Sequence, residues 1–214
     1  MGKDWLIKAP GTAERPKRGL ANRTSLPELR RQIKERFGRA TAVLLLDTSG
    51  SMLTDDKLSH ARSGAVQFAG KAISGGYKVG IVSFDTVARV VCQPNVTVSE
   101  LQSLLGALQA KGSTNMAAGL RLAQEMLGEE GRRAAIVATD GVPDDRHAAL
   151  AVAEQMKKAG IQIITIGTPD ADDEFLRRVA SASELSTVVA NSNLGREIAA
   201  TADLLRLPGP RSGS

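Results

Sequence analysis

Short, continuous apolar runs alternate along this chain with longer segments of helical spacing. Ala40–Leu46, Ala134–Thr139 and Ile161–Ile166 each carry almost no polar residue, which is the pattern of strands buried on both faces. Between them, Leu58–Ile73 places Leu58, Ala61, Ala65, Phe68, Ala69 and Ala72 on one helical face and stops at Gly75-Gly76. Val98–Leu108, Met116–Leu127, Ala148–Ala159, Asp172–Ser181 and Leu194–Leu205 read as further helices, and Leu185–Val189 as a last strand. Lys78–Phe84 and Thr86–Cys92 are strand-like runs hinged at Asp85, a connection short enough only for a hairpin, so one edge strand is antiparallel. The expectation is an α/β fold with a mostly parallel six-stranded sheet and helices on both faces. Ligands of such sheets sit beyond the carboxyl ends of the strands, so strand-end residues carry the functional information.

The strand ends hold oxygen, with neither imidazole nor thiolate among them. Asp47-Thr48-Ser49-Gly50-Ser51 follows the first buried run, Gly112-Ser113-Thr114-Asn115 precedes a helix, and Thr139-Asp140-Gly141 ends another buried run. In an extended stretch Asp47, Ser49 and Ser51 point to one side, and Thr114 and Asp140 add a hydroxyl and a second carboxylate. Hard oxygen donors of this kind suit Mg²⁺ or Mn²⁺. Two carboxylates balance the charge of a divalent ion, and neutral hydroxyls leave it electrophilic toward a further carboxylate.

These residues resemble the metal-ion-dependent adhesion site of von Willebrand factor type A domains, an Asp-x-Ser-x-Ser motif with a distal Thr and a distal Asp. All five positions match, as Asp47, Ser49, Ser51, Thr114 and Asp140, within a resemblance that covers residues 40–205. Val82-Ser83-Phe84-Asp85 and Gly119-Leu120 are also similar to the family. The resemblance implies a Rossmann-like doubly wound sheet with the metal at its top. Ser49, Ser51 and Thr114 would touch the metal, Asp47 and Asp140 would do so directly or through water, and a partner's Asp or Glu would complete the coordination. It also implies an adaptor of the intracellular branch, working with an ATPase, kinase or phosphatase assembly.

Charge divides the chain. Residues 1–39 carry 11 Lys/Arg and 4 Asp/Glu, whereas residues 40–214 carry 17 and 19. The organisation read from this is a basic arm and helix over 1–39, a domain over 40–206 and a loose tail over 207–214. The helix, Leu26–Phe37, has an apolar stripe of Leu26, Leu29, Ile33 and Phe37, and Trp5, Leu6 and Ile7 form a short candidate docking peptide. The arm is either a solvated segment, a dock for an acidic protein, or a phosphate-binding segment for nucleic acid. Aromatics at 3% leave little for stacking on single strands.

Catalysis finds weaker support. A Mg²⁺-dependent hydrolase using Asp47 as nucleophile or base is the enzymatic alternative, but there is no phosphate-binding G-x-x-x-x-G-K-[ST] loop and no G-x-S-x-G elbow. His60 and His147 read as surface residues, and the single cysteine, Cys92, as a small buried hydrophobe. Asp55, Asp56, Asp144, Asp145, Asp170, Asp172, Asp173 and Glu174 read as acids at solvated helix starts, and Asn115 and Met116 as either packing residues or partner contacts. Met1–Pro10 lacks the apolar core of a secretory signal, and no run approaches the ~18 apolar residues of a membrane span. A cytoplasmic, non-enzymatic binding module is the expectation.

Overall fold

The structure is a computed structural model that describes Ser25 and residues 40–205. The basic arm, its helix and the tail lie outside the described residues. The first strand, β1 (Thr41–Asp47), is buried along its whole length. It sits between β2 (Lys78–Phe84) and β4 (Arg133–Thr139), parallel to both. β3 (Ala88–Cys92) pairs antiparallel with β2 at one edge. β5 (Gln162–Gly167) and the three-residue β6 (Ser186–Val188) extend the other side in parallel. The order β3-β2-β1-β4-β5-β6 is a doubly wound sheet with five parallel strands and one antiparallel edge, as the alternation predicts.

Helices cover both faces. Along β1, Ala42, Leu44 and Leu46 face one layer while Val43 and Leu45 face the other. On the first face lie α1 (Lys57–Ser74), α2 (Val98–Gly106) and α6 (Leu194–Leu204), and on the second α3 (Met116–Leu127), α4 (Arg146–Lys158) and α5 (Asp173–Val179). The core is mainly aliphatic, with Phe68 and Tyr77 in one layer and Phe84 and Phe175 in the other. α1 and α6 meet backbone to backbone: a Cβ on Gly64 would lie 2.4 Å from the Gly195 carbonyl oxygen. Only glycine permits that approach.

Several expected boundaries move for local reasons. β3 starts at Ala88 because residues 85–87 make the hairpin turn, where the Asp85 carboxylate accepts the Val87 amide at 3.0 Å. β6 loses Leu185 to a 3₁₀ turn over Ser183–Leu185. The stretch after β1 is extended only as far as Ser49; Gly50–Asp56 coils into a 3₁₀ segment, with Asp55 and Asp56 both at φ 53°. Cys92 is buried, and burial pushes its thiol up to about 11.

Winding reverses between β1 and β4, which opens a crevice beyond their carboxyl ends. Asp47 closes β1 and Thr139 closes β4, so both reach the crevice from neighbouring strands.

Candidate metal centre

Asp47 is fully buried at the floor of the crevice. One carboxylate oxygen accepts the Ser49 amide at 2.8 Å and the other the Thr139 hydroxyl at 2.5 Å. Burial pushes the carboxyl up from 3.8 to about 6; the hydrogen bonds from Thr139 and Ser49 offset this only in part, and the nearby Asp140 charge adds to it.

Ser49 and Ser51 do converge, though not along an extended strand. The turn at Gly50 brings their hydroxyl oxygens to 3.0 Å. Ser51 then donates to Asp140 Oδ1 at 2.7 Å. Thr114, also buried, comes in from a third loop. A Cβ on Gly141 would stand 3.1 Å from the Thr114 hydroxyl oxygen and 3.8 Å from Asp47 Oδ2. Gly141 is thus a cradle beside Thr114 and Asp47 that a larger residue would fill. All five residues singled out from the sequence meet at one place.

The loop bearing Thr114 is stitched in on several sides. Gly112, at φ 72°, offers its carbonyl to the Gly50 amide at 3.1 Å, and the Asn115 amide reaches the Asp85 carbonyl at 2.8 Å. Asp144 takes the Thr114 amide at 3.1 Å on one oxygen and the Ser113 hydroxyl at 2.6 Å on the other. Asp144 therefore braces this loop rather than capping a helix; the cap of α4 is Asp145, which accepts the Ala148 amide. Asn115 caps α3 through the Ala118 amide and Met116 is fully buried, so both serve packing.

The residue that sequence reasoning missed is Lys57. It opens α1, yet only 2% of its surface is exposed. Its ammonium lies 2.8 Å from Asp140 Oδ2 and 2.7 Å from Asp170 Oδ2. Burial alone would lower its pKa, but the two carboxylates reverse that and raise it, so the group stays charged. A cation at a helix start opposes the helix dipole, and that was the one available signal. Asp170 is largely exposed, as a solvated acid is, but also pairs with Lys57, whereas Asp172 caps α5 and Asp173 pairs with Arg177 as helix-start acids do. Asp56 precedes α1 without a side-chain cap bond, and Asp55 accepts from Asn191. His147 is exposed and His60 half-buried.

The donor set fits a hard divalent cation: two carboxylates and three hydroxyls, all oxygen. Among the described residues no cluster of three or more His, Cys, Asp or Glu side chains is placed to hold a metal, so hydroxyls must supply much of any coordination here.

The chain is similar to several known proteins. The uncharacterized protein YfbK of Escherichia coli (strain K12) is 27% identical over 159 residues, covering 68% of this chain but 27% of YfbK, so the chain spans about a quarter of that relative. Among solved structures, the von Willebrand factor domain of the type V pili tip protein Mfa5 from Porphyromonas gingivalis superposes with a TM-score of 0.69 at 14% identity, covering 81% of this chain and 98% of that one. Proximal thread matrix protein 1 of the mussel byssus, solved with a zinc-occupied MIDAS motif, superposes with a TM-score of 0.68 at 18% identity, covering 78% and 48%. Residues 42–201, three-quarters of the chain, match the von Willebrand factor type A domain, and the chain belongs to that family.

Proposed function

We propose that this chain is a metal-dependent protein-interaction module. Asp47, Ser49, Ser51, Thr114 and Asp140 hold Mg²⁺ or Mn²⁺, and the carboxylate of a partner's Asp or Glu completes the site. The observation that carries this reading is the convergence of the five oxygen-bearing residues from three loops on the crevice between β1 and β4, with Asp47 buried beneath them. A bound divalent ion supplies the electrophilic position that takes the partner's carboxylate. The chain supplies the rest: Asp144 fixes the Thr114 loop, and Gly141 leaves room beside its hydroxyl. Leu53 and Val142, 70% and 45% exposed, stand on the loops that carry Ser51 and Asp140; they offer apolar contact around an acidic anchor.

The reading is binding without turnover. Ser49 has Ser51 rather than a base as its hydroxyl neighbour, and the mussel protein's occupied motif is compatible with a metal serving as a docking point. We favour an adaptor within a larger assembly.

The test is capture from a lysate of source cells with wild type, Ser49→Ala and Thr114→Ala, each in Mg²⁺ and in EDTA. These variants suit the purpose better than Asp140→Ala, which would deprive buried Lys57 of a partner. A protein retained only by wild type in Mg²⁺, with Mg²⁺ affinity at least about tenfold weaker in the variants, is the expected result. Partners, nucleic acid included, retained equally in EDTA would overturn it and move the interaction elsewhere on the chain.

A further inference from the structure

We infer that Lys57 is a resident counter-charge of the metal centre, which weakens the site's hold on a free divalent cation and makes metal and partner bind together. The inference rests on the metal-site reading above and adds how that site is regulated.

Asp140 is fully buried and both of its oxygens are engaged, Oδ1 by the Ser51 hydroxyl and Oδ2 by the Lys57 ammonium. An ammonium withdrawn from water and set against a helix dipole is placed at a cost. It is retained because Asp140 faces it from one side and the largely exposed Asp170 from the other. The consequence is electrostatic. Asp47 and Asp140 together would offer a divalent ion two negative charges; Lys57 offsets one of them a hydrogen bond away, and the carboxylate of Asp170 on its far side, 62% exposed and screened by water, restores only part of it. The site on its own therefore attracts the ion weakly. A partner's carboxylate restores the missing charge, so each ligand strengthens the binding of the other by the same factor. Lys57 is a positioning residue as well: it holds Oδ2 of Asp140 and leaves Oδ1 with Ser51 among the hydroxyls.

The experiment titrates Mn²⁺ alone into the full chain at mildly alkaline pH, followed by electron paramagnetic resonance, for wild type, Lys57→Met and Ser49→Ala. Lys57→Met should bind Mn²⁺ about tenfold tighter or more, since a unit charge within a few ångströms is removed. Saturating acetate, standing in for a partner's carboxylate, should tighten Mn²⁺ binding more in wild type than in Lys57→Met. Equal or weaker Mn²⁺ affinity in Lys57→Met overturns the inference. Should that variant not fold, the lysine ammonium NMR signal of the wild type decides. A Lys57 resonance that shifts as Mg²⁺ is added supports the inference, and one unmoved at saturating Mg²⁺ overturns it. Metal binding that Ser49→Ala abolishes but Lys57→Met leaves unchanged sinks this inference alone. No saturable Mn²⁺ binding in any form sinks the metal-site reading with it.

Discussion

Asp47 and Asp85 occupy equivalent places on neighbouring strands. One ends β1, the other follows β2 directly, and both are buried. Asp85 is provided for: it accepts the Val87 amide at 3.0 Å, and Arg89 lies 2.8 Å away. Burial alone would raise its pKa, but those partners and the charge of Lys111 outweigh it and hold the carboxyl below the usual range. Asp47 has an amide and a hydroxyl but no cation among the described residues, and burial lifts it to about 6. The same side chain on the same kind of strand end is a structural pin in one case and an unneutralised charge in the other. The difference lies in whether the chain itself supplies the positive partner, and the strand end that lacks one is the end at which the proposed divalent cation would sit.

The sharpest way to break this contrast is Asp85→Ala. It strands the Val87 amide and leaves Arg89 without its partner, and should cost about 3 kcal/mol in urea unfolding while leaving Mn²⁺ affinity unchanged. Because the folded Asp85 pKa is depressed, its contribution is fully present above the ordinary carboxylate range and is lost as pH falls from that range through the lower folded value. An Asp85→Ala protein that weakens Mn²⁺ binding would erase the distinction.

Asp47→Asn should act in the opposite direction in EDTA. With a folded pKa raised from 3.8 to about 6, the native state holds extra protons between those values, so Asp47 lowers stability progressively as pH rises through that window. Asparagine removes the charge and should stabilise the metal-free protein by about 2 kcal/mol above pH 6, with the gain gone at pH 4. A gain that does not depend on pH would show that burial of charge is not its source. The smallest effect is expected from Arg89→Met. Arg89 is half-exposed, so its removal should cost under about 1 kcal/mol, far less than losing Asp85; a larger loss would make the guanidinium, and not the Val87 amide, the main partner.

How much of this was legible in the sequence follows from range. Strands, helices and the five oxygen-bearing residues were readable because apolar runs and strand-end motifs are local. Asp144 and Asp145 are indistinguishable as a pair of helix-start acids. Which one caps α4 and which reaches back to Thr114 depends on a loop 30 residues away. Lys57 was hidden for the same reason, since Asp140 and Asp170 lie 83 and 113 residues further along. Ser51 meets Ser49 by a route that the extended-backbone argument does not describe: the chain leaves the extended conformation at Gly50, and a 3₁₀ turn brings the two hydroxyls together.

The two margins of the sheet have a consequence of their own. β3 carries a register irregularity opposite Ile81 and Val82 and turns exposed Arg89 outward, while β6 offers three residues. Among the described residues, neither margin is long and flat enough to favour recruiting a strand from another molecule. Each margin of the described sheet is therefore a poor template for edge-to-edge pairing between copies of the domain.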